Sequence, residues 1–311
     1  MKDNTMPLVI LAGRDRRSTT LPEEGQGKQL LKGYKTVDIR VGERRLIEVL
    51  LERFRATGAF DPIYIAGPRS VYEPLGTGAE IIDTDASFGE NLAVCAETMM
   101  ELEPGRQAMF TTSDILPDVD ELQAALEDLR NHQPVDFWMP QVRVPDDMEE
   151  LGESSWKPKY RFSPEGESEP VRVLPGHFIA VDPRVAYLEL IYRFFGGLYR
   201  TRNLPIRARY FSLTRRVLLK LLSDDVAALL RFEWPSNTVR VVYNCLVAAK
   251  RLALGTSSQE ELEHFMRRIF IHARQLRKHP ELRGRVAVLT GLSLAKDIDT
   301  LEEAQELAAS G

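Results

Sequence analysis

The stretch Pro7-Leu8-Val9-Ile10-Leu11-Ala12-Gly13-Arg14-Asp15-Arg16-Arg17 decides how this chain folds. An apolar run with no polar interruption, ended by a small residue and a glycine, reads as a strand buried on both faces of a sheet. The loop that follows has its own chemistry. Backbone N–H groups around Gly13 and the guanidinium forks of Arg14, Arg16 and Arg17 suit an oxyanion, phosphate above all.

Outward from this strand the same alternation repeats. Residues 44–57 carry the stripe Leu46, Ile47, Leu50, Leu51, Phe54, stopped by Gly58, which predicts a helix. Residues 62–68 and 80–83 predict the next two strands, and a helix opens at Phe88-Gly89-Glu90-Asn91. Residues 107–112 predict a fourth strand, ending in Ser113-Asp114-Ile115-Leu116-Pro117, with a helix from Val119 and a strand over 135–144. Strand–helix alternation with short connections predicts an α/β fold with a mostly parallel sheet. Ligands of such sheets bind where strands end and helices begin, and Gly13, Asp114 and the pair Asp297 and Asp299 fall at such ends. Between 184 and 283 apolar residues recur only at helical spacing, which predicts a large helical insertion or lid. Residues 286–289 return to strand character before a helix at 301–309. The expected organisation is an α/β domain over 1–183, the insertion over 184–283 and a return strand and helix over 284–311.

Composition excludes several classes. No run approaches the roughly 18–20 apolar residues of a spanning helix. The N-terminal Met-Lys-Asp-Asn-Thr-Met-Pro lacks the apolar core of a secretory signal. Cys95 and Cys245 read as two buried, reduced thiols, so the cytoplasm is the expected compartment. The net charge of −5 hides a local excess: residues 184–220 hold nine basic residues against one acid, Glu189. Interleaved with Phe194, Phe195 and Tyr199, that segment suits an anionic acceptor or an anionic membrane surface. Nucleic acid is the least favoured partner, because no binding-module signature accompanies the charge. A helical lid with core aromatics and solvated arginines explains the same residues.

Carboxylates at strand tips are the candidate metal ligands. Asp114 ends an apolar strand and can bridge a hard divalent cation to phosphate oxygens, or it can cap the following helix. Asp297 and Asp299, two apart on an extended segment, point the same way, which suits the same kind of ion; a solvated turn is the alternative. Thr300 and Glu303 have the spacing of a capping box. Gly89 would permit close packing, and Asn91 could either bond a ligand or cap its helix. His177, in Leu174-Pro175-Gly176-His177-Phe178, could meet an acceptor phosphate or hydroxyl, or serve as a structural hydrogen-bonding residue.

These motifs resemble the MobA-like NTP transferases, nucleotidyltransferases of the sugar-nucleotide and molybdenum-cofactor type. Leu11-Ala12-Gly13 matches the family's L-A-G opening, Lys28 in Gly27-Lys28-Gln29-Leu30-Leu31 resembles its later lysine, and Arg16 or Arg17 its arginine. The strand end Asp114-Ile115-Leu116-Pro117 resembles the family's D-x-P strand end. Asp297-Ile298-Asp299-Thr300-Leu301-Glu302-Glu303 resembles the terminal D-x-D-T-P-E-D-L, and Gly89-Glu90-Asn91-Leu92 the element beside the nucleobase. Arg14 replaces the second glycine, and Leu301 a proline. The resemblance implies an α/β fold with a Rossmann-like, mainly parallel sheet of the GT-A-like nucleotidyltransferase kind, covering 7–183 and 284–309. It implies transfer of a nucleoside monophosphate from an NTP to a phosphorylated small-molecule acceptor, with release of pyrophosphate. Leu11, Ala12, Gly13, Gly89 and Asn91 would bind the nucleotide, Asp114 and Asp299 or Asp297 would hold Mg2+, and Lys28, Arg16 and Arg17 would stabilise the transition state. Two other functions fit the same residues: a glycosyltransferase of this fold using a nucleotide-sugar, and a decayed sheet whose helices bind a partner or membrane.

Overall fold

The computed structural model describes residues 5–14, 33–151, 157–201, 206–298, 300, 302–303 and 305. The first half runs β1 (Met6–Leu11), α1 (Lys35–Asp38), β2 (Arg40–Val41), β3 (Arg44–Arg45), α2 (Leu46–Ala56), β4 (Phe60–Gly67), α3 (Arg69–Tyr72), β5 (Glu80–Asp83), α4 (Phe88–Leu102), β6 (Ala108–Thr112) and α5 (Val119–Asn131). Then follow β7 (Phe137–Trp138), β8 (Gln141–Arg143), β9 (Tyr160–Phe162), β10 (Val171–Pro175) and β11 (Phe178–Val181). Five helices come next, α6 (Leu188–Thr201), α7 (Ile206–Leu230), α8 (Asn237–Leu254), α9 (Gln259–Phe270) and α10 (Ala273–Lys278), before β12 (Gly284–Arg285) and β13 (Val288–Leu289).

Strand β1 is buried on both sides, as its uninterrupted apolar run requires. Leu8, Ile10 and Ala12 join a core with Ile47, Leu50 and Phe54 of α2 and Leu122 and Leu126 of α5. Val9 and Leu11 face the other way, onto Cys95, Ala96 and Met99 of α4. Each fully buried aliphatic contributes roughly 1.5–3 kcal/mol, so this one strand anchors both layers. Seven strands form the main sheet in the order β12-β7-β11-β6-β1-β4-β5. β1 runs parallel to β4 and β6, β4 to β5, and β12 to β7, whereas β11 is antiparallel to both neighbours. The fold is thus a mixed α/β one with a mainly parallel sheet. From β1 the chain moves outward to β4 and β5, then returns to place β6 on the opposite side of β1. That reversal is the topological switch point, where open α/β sheets hold their ligands.

Two readings of the sequence are corrected here. The single strand expected over 135–144 is divided: β7 belongs to the main sheet and β8 to a second sheet of order β13-β8-β10-β9. Pro140 between them has no N–H for a ladder, and its carbonyl accepts from Gly176 N at 3.0 Å instead. Cys95 is buried, and burial pushes its thiol up to about 12, but Cys245 is exposed. The inner face of α8 passes through Val241, Asn244 and Ala248, which turns position 245 outward.

Helices α6–α9 have a core of their own, including Leu190, Leu221, Val241, Phe265 and Ile269. The module meets the main sheet's helical layer where α6 crosses α4. A Cβ on Gly89 would lie 2.7 Å from the Tyr192 carbonyl oxygen and 3.0 Å from Gly196 Cα, so the absence of a side chain there permits the crossing. Among the described residues no helix is long and apolar enough to cross a membrane. Gly89→Ala is expected to destabilise the protein by about 1–3 kcal/mol, because the obstructing atoms are backbone. A lower urea midpoint with an unchanged denaturant slope would show it.

Candidate functional site

The register Leu11↔Thr112 between β1 and β6 places Gly13 and Asp114 each two residues beyond the last pair, at the switch point. Asp118, not Asp114, caps α5, its carboxylate accepting from Asp120 N and Glu121 N. Asp114 is therefore not used as a cap. Its Oδ1 is buried with no hydrogen-bond partner, and its Oδ2 lies 3.7 Å from Lys35 Nζ. Its carbonyl accepts from Ile298 N at 2.7 Å, which draws the late aspartate segment to the same strand tip. Thr300 and Glu303 form the expected capping box, each backbone N–H donating to the other's side chain.

Asp114, His177 and Asp297 each bring a ligand atom within 4.8 Å of the other two. His177 sits in the turn from β10 to β11, held by its N–H donating to the Leu294 carbonyl at 2.9 Å. Its Nδ1 lies 2.9 Å from Thr112 Oγ1 and its Nε2 2.6 Å from Asp297 Oδ1. Lys157 completes the group, with Nζ 3.0 Å from Asp297 Oδ1 and 2.6 Å from His177 Nε2, and a bond donated to the Ala295 carbonyl at 2.5 Å. Burial alone would raise the Asp297 carboxyl. The charges of His177 and Lys157 and the hydrogen bonds they make outweigh it, holding the group well below the usual carboxylate range.

Lys35 is buried beside Asp114 on α1, a helix fastened to the strand loop by a second chain of bonds. Thr36 Oγ1 lies 3.0 Å from Tyr72 OH, which donates to the Ala12 carbonyl at 2.7 Å. A Cβ on Gly67 would sit 2.4 Å from the Tyr72 ring, so the glycine ending β4 makes room for that tyrosine. On the other side of the loop, Asn91 Oδ1 accepts from Thr84 Oγ1 at 2.7 Å and Ala86 N at 2.9 Å. Ser87, bonded to Glu90, is the cap of α4, so Asn91 is not. The Asn91 amide nitrogen lies 2.8 Å from where a Cβ on Gly13 would stand. Arg14 turns to Asp85, 3.5 Å away, with its side chain 45% exposed.

The structure thus brings Gly13, Asn91, Asp114 and Asp297 to one end of the sheet, while Gly89 faces α6. Arg16, Arg17, Lys28 and Asp299 lie outside the described residues. Sequence reasoning passed over Lys35 and Lys157. A signal existed for the first: Lys35 follows Gly33-Tyr34 and precedes the β2–β3 hairpin, a lysine in a short element near the phosphate loop. Lys157 lies in an acidic stretch without periodicity, and no local pattern marks it.

A divalent cation fits this group at Asp114, whose orphaned buried oxygen lacks the partner that buried polar atoms ordinarily have. Asp297 is already compensated by Lys157 and His177.

No protein-family model and no curated protein matches this sequence. Among solved structures, the chain is similar to a hypothetical transferase from Thermus thermophilus at 19% identity and a TM-score of 0.52, covering 96% of this chain and 100% of that one. A CMP:2-keto-3-deoxy-manno-octonic acid synthetase complexed with CTP matches at 13% identity and a TM-score of 0.42, over 64% of this chain and 84% of that one. A 4-diphosphocytidyl-2C-methyl-D-erythritol synthase from Anaerococcus prevotii matches at 13% and 0.42, over 99% of both chains. At this identity the likeness to the Thermus protein shows a shared fold.

The depressed Asp297 carboxyl has a pH consequence. Its folded value lies below the unfolded value of about 3.9, so its contribution is complete above that pH and is lost as pH falls below it. Asp297→Asn leaves Lys157 without its carboxylate and is expected to lose about 3–5 kcal/mol at neutral pH. The variant's stability should also fall less steeply on acidification, as read from urea midpoints between neutral and acid pH.

Proposed function

We propose that this protein transfers a nucleoside monophosphate from a nucleoside triphosphate to a phosphorylated small molecule, releasing pyrophosphate. The observation that carries the reading is the convergence at the β1–β6 switch point of a glycine loop, a carboxylate with an orphaned oxygen and a buried lysine. Asp114 would hold Mg2+, with Asp297 behind it and Asp299 the further candidate; when bound, the ion supplies neutralisation of triphosphate charge. Gly13, lacking a side chain, lets backbone N–H groups approach phosphate closely, and Leu11 and Ala12 fix that loop in the sheet. Asn91 presents its amide edge to Gly13, on the nucleotide side. Lys35 supplies the cationic charge that phosphoryl transfer needs as negative charge shifts onto the leaving group. Lys28, Arg16 and Arg17 are the additional phosphate contacts of this proposal. An acceptor phosphate oxygen attacks the α-phosphorus, the bond to the bridging oxygen breaks, and pyrophosphate leaves with that electron pair. An ionised phosphate needs no general base.

Asp114→Asn is expected to lower turnover by about 10²–10³-fold, the scale of losing one preorganised electrostatic contact. Pyrophosphate release from each NTP, assayed with a panel of sugar phosphates and other phosphorylated acceptors, measures it. Unchanged turnover in Asp114→Asn would remove Asp114 from the mechanism, and nucleoside diphosphate released from a nucleotide-sugar would assign the site to glycosyl transfer instead.

A second reading concerns the helices, favoured by one observation. At the α7–α8 hairpin tip Phe232 is fully exposed at a φ of 57° and Trp234 is 80% exposed. Leu219, Val226, Val239 and Leu246 are exposed on the same two helices, and Arg215, Arg216, Arg231 and Lys250 are exposed with them. Apolar residues flanked by exposed bases suit an anionic membrane surface. Cosedimentation with phosphatidylserine vesicles should decline with salt and disappear in the Phe232→Ser, Trp234→Ser double variant. Self-association without vesicle binding would overturn it.

A further inference from the structure

We propose that Lys157 determines which divalent cation the site accepts: it acts as a resident cation that closes the His177–Asp297 pair to transition metals. This rests on the cation-site reading above. Two carboxylates and an imidazole within 4.8 Å of one another form a donor set that zinc and manganese would take, the imidazole nitrogen favouring the softer ions over magnesium. Yet the inner part of that set is already occupied. The Lys157 side chain is 7% exposed, as is that of Asp297. An ammonium has three protons, and three polar atoms surround this one at 2.5–3.0 Å: Asp297 Oδ1, His177 Nε2 and the Ala295 carbonyl oxygen.

The consequence for His177 follows from its ring. Nε2 faces both the ammonium and Asp297 Oδ1, and Nδ1 faces Thr112 Oγ1. Whether Nε2 accepts a hydrogen bond from Lys157 or carries the ring proton aimed at Asp297, it has no free lone pair for a metal. A metal entering there would have to displace that bond and sit against a positive charge with little water to screen it. Asp114 stands outside this lock, with Oδ1 buried and without a hydrogen-bond partner. What remains open is a carboxylate oxygen, the donor a hard ion takes together with water and phosphate oxygens. Lys157 thereby turns a potential three-ligand transition-metal site into one suited to magnesium.

The test replaces the charge and measures metal binding directly in the full chain, by calorimetry with Zn2+, Mn2+ and Mg2+ alone. Lys157→Met is expected to bind one Zn2+ or Mn2+ roughly 10–100-fold more tightly than the parent, the scale on which groups around a metal's ligands alter affinity. Mg2+ affinity should change little. Adding His177→Ala should abolish the gain, and Lys157→Arg should keep the parental preference. Should Lys157→Met be unfolded without metal, micromolar Zn2+ should raise its melting temperature, and Lys157→Gln, which keeps an N–H donor, should show the same gain. Zn2+ and Mn2+ affinities equal to the parent's in both neutral variants, or a gain that survives His177→Ala, would overturn the proposal. No turnover is measured, so a negative result here leaves nucleotidyl transfer standing, and failure of the transfer assay leaves the metal preference standing.

Discussion

The parallel pairing of β1 with both β4 and β6 is the constraint on which the rest depends. A strand flanked on each side and covered on each face must be apolar throughout, and Leu8, Val9 and Ile10 meet that demand at zero exposure. Once the register Leu11↔Thr112 is set, Gly13 and Asp114 emerge side by side. Their proximity is a property of the sheet, not of a flexible loop, so chemistry placed there inherits the rigidity of two cores.

The remaining groups reach this point through backbone bonds from distant segments. Ile298 binds the Asp114 carbonyl, His177 binds Leu294, and Gly176 binds Pro140. These tie the second sheet and the last described segment to the tip of β6. Two lysines then take different stations. Lys35 lies near the carboxylate that has an orphaned oxygen; Lys157 lies inside a saturated group of acceptors. Their burial is similar, but Lys35 lies 3.7 Å from the Asp114 carboxylate whereas Lys157 is enclosed by Asp297, His177 and the Ala295 carbonyl.

Much of this architecture was legible locally. The apolar runs at β1, β4 and β6, the stripe of α2 and the helical spacing after residue 184 are short-range patterns, and each element formed where its pattern lies. So was the pairing of Thr300 with Glu303. What escaped was long-range. Nothing near Lys157 announces that it would meet Ala295 and Asp297, because that contact is made by chain segments with no shared periodicity. Pro140 was visible, but its effect, sending β7 and β8 into different sheets, depends on which carbonyl the neighbouring turn needs. Gly89 likewise carries a reason invisible in sequence, namely the backbone of α6.

The route of the chain through the site also sets when the site can exist. Positions 13, 35 and 114 are all synthesised at least 183 residues before Asp297. A nascent chain that has not yet reached residue 297 lacks the carboxylate that neutralises Lys157. Until that segment docks, an unmatched ammonium waits beside an imidazole.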